Sequence, residues 1–167
     1  MKKIVFLFAM MMLVLSGCGP KLNDHVVDYQ VDLPDSFEET ELEGADACWV
    51  NPENNANVNL LVVDKASTAD VAFKAVTADI LRETVEDTLK ESYGTVTVTD
   101  RFFTKNDVCG LPAYQYCYDV AVGDQSMTQL IVSINADKTY TFTYTTDDED
   151  TLAVFEESAK NIQLTIE

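Results

Sequence analysis

The stretch AYQYCYDVAVGDQSMTQLIVSINADKTYTFTYT, residues 113–145, decides the fold. Tyr114, Tyr116, Tyr118, Val120 and Val122 occupy every second position, the period of a strand with one buried face. Gly123-Asp124 is a two-residue hairpin signal. The chain then returns from Gln125 to Asn135 with Leu130, Val132 and Ile134 on one side. Ala136-Asp137-Lys138 turns it again, and Tyr140, Phe142 and Tyr144 alternate with threonines. Strands joined by such short turns are antiparallel, because a parallel neighbour needs a crossover of about a dozen residues or more.

Working outward, Thr95 to Lys105 alternates Val96 and Val98 with threonines before Phe102-Phe103, and Gly110-Leu111-Pro112 reads as the turn into the tyrosine strand. Upstream, Phe73, Val76, Ile80, Leu81, Val85 and Leu89 recur at three- and four-residue spacing. They predict a single helix of about 25 residues, from a capping-box-like start at Ser67 and Asp70 to a stop at Gly94. Val27, Tyr29, Val31 and Leu33 form a first strand that ends at Pro34. Short strands follow at Ala47–Val50 and Asn57–Val63, separated by the Asn51–Asn55 turn. Downstream, Leu152, Phe155 and Ala159 mark a last helix starting near Thr146–Glu149, and Ile162–Ile166 reads as a closing strand. The expected fold is a single α+β domain: an antiparallel β-sheet covered by a long helix and a C-terminal helix in layers.

The first residues read as an address and not as part of that domain. Lys2 and Lys3 precede a twelve-residue apolar run, Ile4 to Leu15, shorter than the roughly 20 residues a membrane-spanning helix needs. Leu15-Ser16-Gly17-Cys18 then resembles the lipobox of bacterial lipoproteins. That resemblance implies cleavage between Gly17 and Cys18 and a diacylglyceryl group on the Cys18 thiol. The expected organisation is a signal peptide at 1–17, a lipidated tether at 18–27 and a domain at 28–167. Two acyl chains suffice for stable anchoring where one does not. Localisation at the cell membrane, lipid-anchored on the extracytoplasmic side, follows as an expectation.

The whole chain of 167 residues carries 29 acidic and 11 basic side chains, a net charge of −18. Cleavage before Cys18 removes two lysines and leaves a body of 150 residues at −20. No nucleic-acid partner is expected, because phosphate contacts need clustered Lys and Arg. Anionic headgroups would repel this body, so lipid on Cys18 is the expected contact with the membrane.

Catalytic and metal-binding patterns are sparse. His25, the single histidine, lies in the expected tether, where nothing holds it against a nucleophile. There is no P-loop, no G-x-G-x-x-G and no H-E-x-x-H, so no cofactor is expected. Asp147-Asp148-Glu149-Asp150 lacks the alternation and central Gly of a calcium loop and suits the first turn of a helix. Cys48, Cys109 and Cys117 form no CxxC and no zinc pattern, and no metal is expected. Cys117 is expected opposite a residue near Lys105, too far along the ladder from Cys109 for a bridge, so free, partly buried thiols are the favoured reading. Trp49 and the row Tyr114, Tyr116 and Tyr118 are the candidate ligand contacts. An aromatic row stacks a sugar or peptide when open and packs beneath a helix when covered, and the covered arrangement is favoured.

The element order, with Leu33-Pro34, Trp49, Asn57-Val58-Asn59, Gly110-Leu111-Pro112-Ala113 and the tyrosine strand, resembles the PsbP/DcrB-like family of small extracytoplasmic domains. The resemblance covers residues 28 to 167. It implies an antiparallel sheet between helices, an α/β/α sandwich, and a binding or assembly role without catalysis. Three functions are thereby ordered. First comes a membrane-anchored, non-enzymatic lipoprotein that binds or scaffolds an extracytoplasmic protein. Second is a lipoprotein that captures a small ligand or peptide for a transporter, and third a carboxylate-based enzyme.

Overall fold

The alternating segments pair into one seven-stranded antiparallel sheet. The structure is a computed structural model that describes residues 26–65 and 69–167. The lipobox at Leu15–Cys18, His25 and the expected cap at Ser67 lie outside the described residues. In chain order the elements are β1 (Val26–Gln30), β2 (Glu38–Thr40), β3 (Ala47–Val50), β4 (Asn57–Asp64), α1 (Ala69–Ala75), α2 (Ala78–Tyr93), β5 (Val96–Val108), β6 (Leu111–Val122), β7 (Gln125–Asn135), β8 (Lys138–Thr146), α3 (Glu149–Lys160) and β9 (Gln163–Ile166). The sheet runs β2-β3-β4-β8-β7-β6-β5, and β1 pairs with β9 in a separate two-stranded ribbon.

Period two sorts the side chains onto two cores. On one face Val58, Leu60, Leu130, Val132, Ile134, Phe142 and Tyr144 meet Leu152, Phe155 and Ala159 of α3 and Leu164 of β9. Phe155 is fully buried, with its ring 5.1 Å from that of Tyr144. On the other face Val96, Val98, Tyr114, Tyr116, Tyr118 and Val120 meet Leu81, Val85 and Leu89 of α2 and, from the α1–α2 junction, Val76. The sheet therefore lies between helices, as the layered reading requires.

Three expectations change in detail. The single long helix is two helices, because Thr77 leaves the helical region (φ −132°, ψ 164°) and its hydroxyl accepts from Ile80 N at 3.3 Å. An N-cap there restarts the helix and shifts its phase, leaving Ile80 44% exposed and outside the apolar stripe. The turn into β6 is Cys109-Gly110, one residue earlier than expected. Val108 and Leu111 close it, and both turn residues have positive φ (54° and 76°). A two-residue turn of that hand matches strand twist, which is why β5 continues to Val108 instead of stopping at Lys105. Finally, β1 ends at Gln30, and a bulge between Val26 and Asp28 buries Val26 while leaving Val27 46% exposed. The strand thus starts within the segment expected as tether.

The two edges of the sheet differ. β2 is three exposed residues, Glu38-Glu39-Thr40, a short acidic edge that discourages pairing with another chain. β5 is a 13-residue edge, interrupted by a bulge between Asp100 and Phe102. Arg101 in that bulge bonds Asp119 at 2.7 Å and Glu149 at 2.5 Å, tying the edge to the start of α3.

Candidate functional site

The tyrosine row does not line an open cleft. Tyr114, Tyr116 and Tyr118 are 8%, 0% and 2% exposed. Phe73 of α1 packs on Tyr114 at 5.1 Å between centroids, and Tyr116 and Tyr118 stack at 4.8 Å beneath α2. Their hydroxyls are satisfied within the fold: Tyr116 donates to Asp100 Oδ1 at 2.5 Å, and Tyr118 donates to Gln129. Burial, reinforced by the Asp100 carboxylate, pushes the Tyr116 hydroxyl far above its ordinary pKa. Trp49 is half-buried on the opposite face, edge-on to Tyr29 at 6.3 Å. The four candidate aromatics are therefore split between the two cores and do not converge.

Among the described residues, Cys48, Cys109 and Cys117 are free thiols. Phe102 stands opposite Cys117, not a residue near Lys105, because the hairpin turns at Cys109-Gly110 and not at Gly110-Leu111-Pro112. Burial raises the Cys117 thiol to about 12 and also raises that of Cys48, so neither is a nucleophile near neutral pH. Cys109 is exposed on its turn, and its Sγ lies 2.9 Å from the Ile162 carbonyl oxygen.

A concavity forms elsewhere, where three segments meet at the start of α3. The loop after β1 contributes Pro34, Ser36 and Phe37, the β3–β4 turn contributes Asn51, and α3 contributes Asp150, Thr151 and Val154. The cleft has a volume of about 190 Å³. Its positioning follows from local chemistry. Phe37 N donates to the Pro34 carbonyl at 3.0 Å, turning the loop so that the Phe37 ring reaches Phe155 at 5.7 Å. Asn51 Oδ1 accepts from Glu53 N at 3.0 Å, the self-bonded turn that this Asn-rich stretch favours. Asn54 then reaches Thr151 Oγ1 at 3.3 Å, joining the turn to the helix.

The acidic run Asp147–Asp150 serves the helix first. Asp148 is the N-cap: its Oδ2 accepts from both Thr151 N and Thr151 Oγ1 at 2.7 Å. Those bonds hold the Asp148 carboxyl below its ordinary pKa, and Arg101 does the same for Glu149. Asp150 adds a backbone hydrogen bond to the Asp148 carboxylate and lines the cleft. The sequence contained the pieces of this site but not their meeting, because Ser36, Asn51 and Thr151 approach only through loop geometry.

Among the described residues no helix is long and apolar enough to cross a membrane. Neither a protein-family model nor a curated protein matches the chain. Solved structures do. The mycobacterial protein LpqN of Mycobacterium tuberculosis, described as involved in cell envelope biogenesis, aligns at 10% identity over 83% of this chain and 82% of its own, with a TM-score of 0.49. The cyanobacterial PsbP (CyanoP) of Synechocystis sp. PCC 6803 aligns at 20% identity over 90% of this chain and 99% of its own, with a TM-score of 0.67. In element order, antiparallel sheet and helical layers, the chain has the PsbP-like α+β fold.

Proposed function

We propose that the chain is a lipoprotein, anchored through Cys18 on the extracytoplasmic side of the cell membrane, whose domain is a non-enzymatic binding or assembly module. The observation that carries this reading is the sequence Leu15-Ser16-Gly17-Cys18 directly after a short apolar run with a basic start. The first strand begins at Val26, so few residues separate the anchor from the folded body. The charge of −20 keeps that body off anionic headgroups and available to a partner. The thiols of Cys48 and Cys117 and the candidate tyrosines Tyr114, Tyr116 and Tyr118 are packed in the cores, which supports a structural use for them.

The test is fractionation of cells expressing the full chain, with metabolic labelling by a radioactive fatty acid. Label and sedimentation with membranes are expected for the native chain, and loss of both for Cys18→Ala. A Cys18→Ala chain that remains wholly membrane-bound would overturn the anchor. Capture of a free small molecule is the weaker reading. The 190 Å³ cleft is smaller than the roughly 300–1,000 Å³ of ordinary small-molecule pockets, and the tyrosine row is covered.

A further inference from the structure

The cleft at the start of α3 combines three features. Phe37, Pro34 and Val154 give it apolar walls, and Val154 is 38% exposed despite being aliphatic. Asp150 places a carboxylate in the lining, and Asp35 and Glu38, adjacent to the lining in sequence, are exposed acids. None of these three acids is in an ion pair with a described lysine or arginine, whereas Glu149 beside them is held by Arg101. Asn51 is only 8% exposed, yet its amide nitrogen has a single long contact, 3.4 Å to Ser36 Oγ. With two N–H groups on that nitrogen, donor capacity is left over in the cleft.

We propose that this cleft receives a lysine or arginine side chain from an extended, basic segment of a partner protein. The aliphatic stem of such a side chain covers apolar surface while its charged end stays at a wet, acidic rim. Asp150 meets the cation, and the spare N–H of Asn51 donates to a carbonyl oxygen of the segment's backbone. A cavity of this volume suits one side chain, and the net charge of the body steers a basic partner towards it. The inference deepens the binding-module reading by naming the partner's chemistry, and it rests on that reading for where the partner is met.

The test uses the full chain, isotope-labelled and held in detergent, titrated with a short glycine-flanked peptide bearing one central lysine. The control peptide carries norleucine, which keeps the stem and removes the charge. Saturable amide shifts are expected at Ser36, Phe37, Asn51 and Thr151 with the lysine peptide, and weaker ones with norleucine. Asp150→Asn should weaken the lysine peptide about two- to fivefold, the range for one partly exposed charge. Asp87→Asn, on the exposed side of α2, should leave binding unchanged. Three results would overturn the proposal: no saturable shift at millimolar peptide, equal binding of both peptides, or equal weakening by the two variants with shifts spread over the surface. Because detergent replaces the membrane, the outcomes separate. A Cys18→Ala chain that leaves the membrane fraction but fails this titration refutes the cleft alone. One that stays in the membrane yet binds the lysine peptide refutes the anchor alone.

Discussion

The Tyr116 hydroxyl and the Asp100 carboxylate share a 2.5 Å hydrogen bond under the edge of α2, and the second oxygen of Asp100 accepts from Arg82 at 2.6 Å. One carboxylate thus connects the buried tyrosine row to the helix that covers it. Truncating Asp100→Ala leaves Tyr116 without its acceptor and Arg82 with only Asp79. The expected loss is about 1.5–3 kcal/mol, the range for a bond to a charged group, read from urea unfolding midpoints. Tyr116→Phe keeps the Arg82 pair and should cost less. An Asp100→Ala protein as stable as the parent would show that the connection contributes nothing.

Thiol chemistry should divide the cysteines by burial. Among Cys48, Cys109 and Cys117 of the folded chain, iodoacetamide at pH 8 is expected to modify Cys109 first. Cys48 and Cys117 should react only as the protein unfolds, since burial raises both thiols, that of Cys117 to about 12. Peptide mapping by mass spectrometry checks the order. Early labelling of Cys117 would contradict its burial in the core on the α3 side of the sheet.

The hairpin between β5 and β6 gives a conformational prediction. Gly110 sits at φ 76° and Cys109 at φ 54°, so Gly110→Val should cost about 1–2 kcal/mol. Cys109→Asn should leave thermal stability within about 0.5 kcal/mol of the parent, because Asn-Gly is the favoured pair for this turn. A large loss in the asparagine variant would mean that the contact of Cys109 with the Ile162 carbonyl dominates the turn.

Acid should destabilise the fold through carboxyls held below their ordinary values. Asp70 is lowered by Lys65 and Asn135, Asp148 by Thr151, and Glu149 by Arg101. A depressed folded pKa favours the native state above the unfolded values near pH 4, and that contribution disappears as pH falls further. Thermal unfolding midpoints should therefore hold from pH 7 to about 5 and fall below about 4. Asp148→Asn, which retains a capping side chain without the charge, should reduce the slope.

Much of this architecture is legible in residues 113–145, because a strand's side-chain period ties each residue to a face and short turns leave one pairing direction. The α3 start is equally legible, since acids before an apolar stripe are what a helix N-terminus stabilises. What escaped reading depended on single side chains acting locally. The stripe from Phe73 to Leu89 continues smoothly in the sequence, whereas Thr77 breaks the helix by accepting one backbone N–H. Gly110-Leu111-Pro112 carries the strongest turn residues by type, yet the chain turns at Cys109-Gly110. Pro112 then lies inside β6 opposite Asp107, in a pair of the two-residue hairpin that does not need its N–H towards β5. The cleft was the least legible feature, because Asn51 and Thr151 are brought close by contacts between a loop and a helix with no periodic signal.

The β1–β9 ribbon also determines how the domain responds to mechanical load. A pull arriving through the chain ahead of Val26 and directed across the ribbon acts first on the Val26–Ile166 pair, then on each pair in turn to Gln30–Gln163. Strands opened one pair at a time resist far less force than strands sheared together. The contacts of Tyr29 with Trp49 and Phe142 are what hold β1 once its ladder has opened. The ribbon would therefore yield under tension before the seven-stranded sheet, as a compliant element between the load and a rigid body.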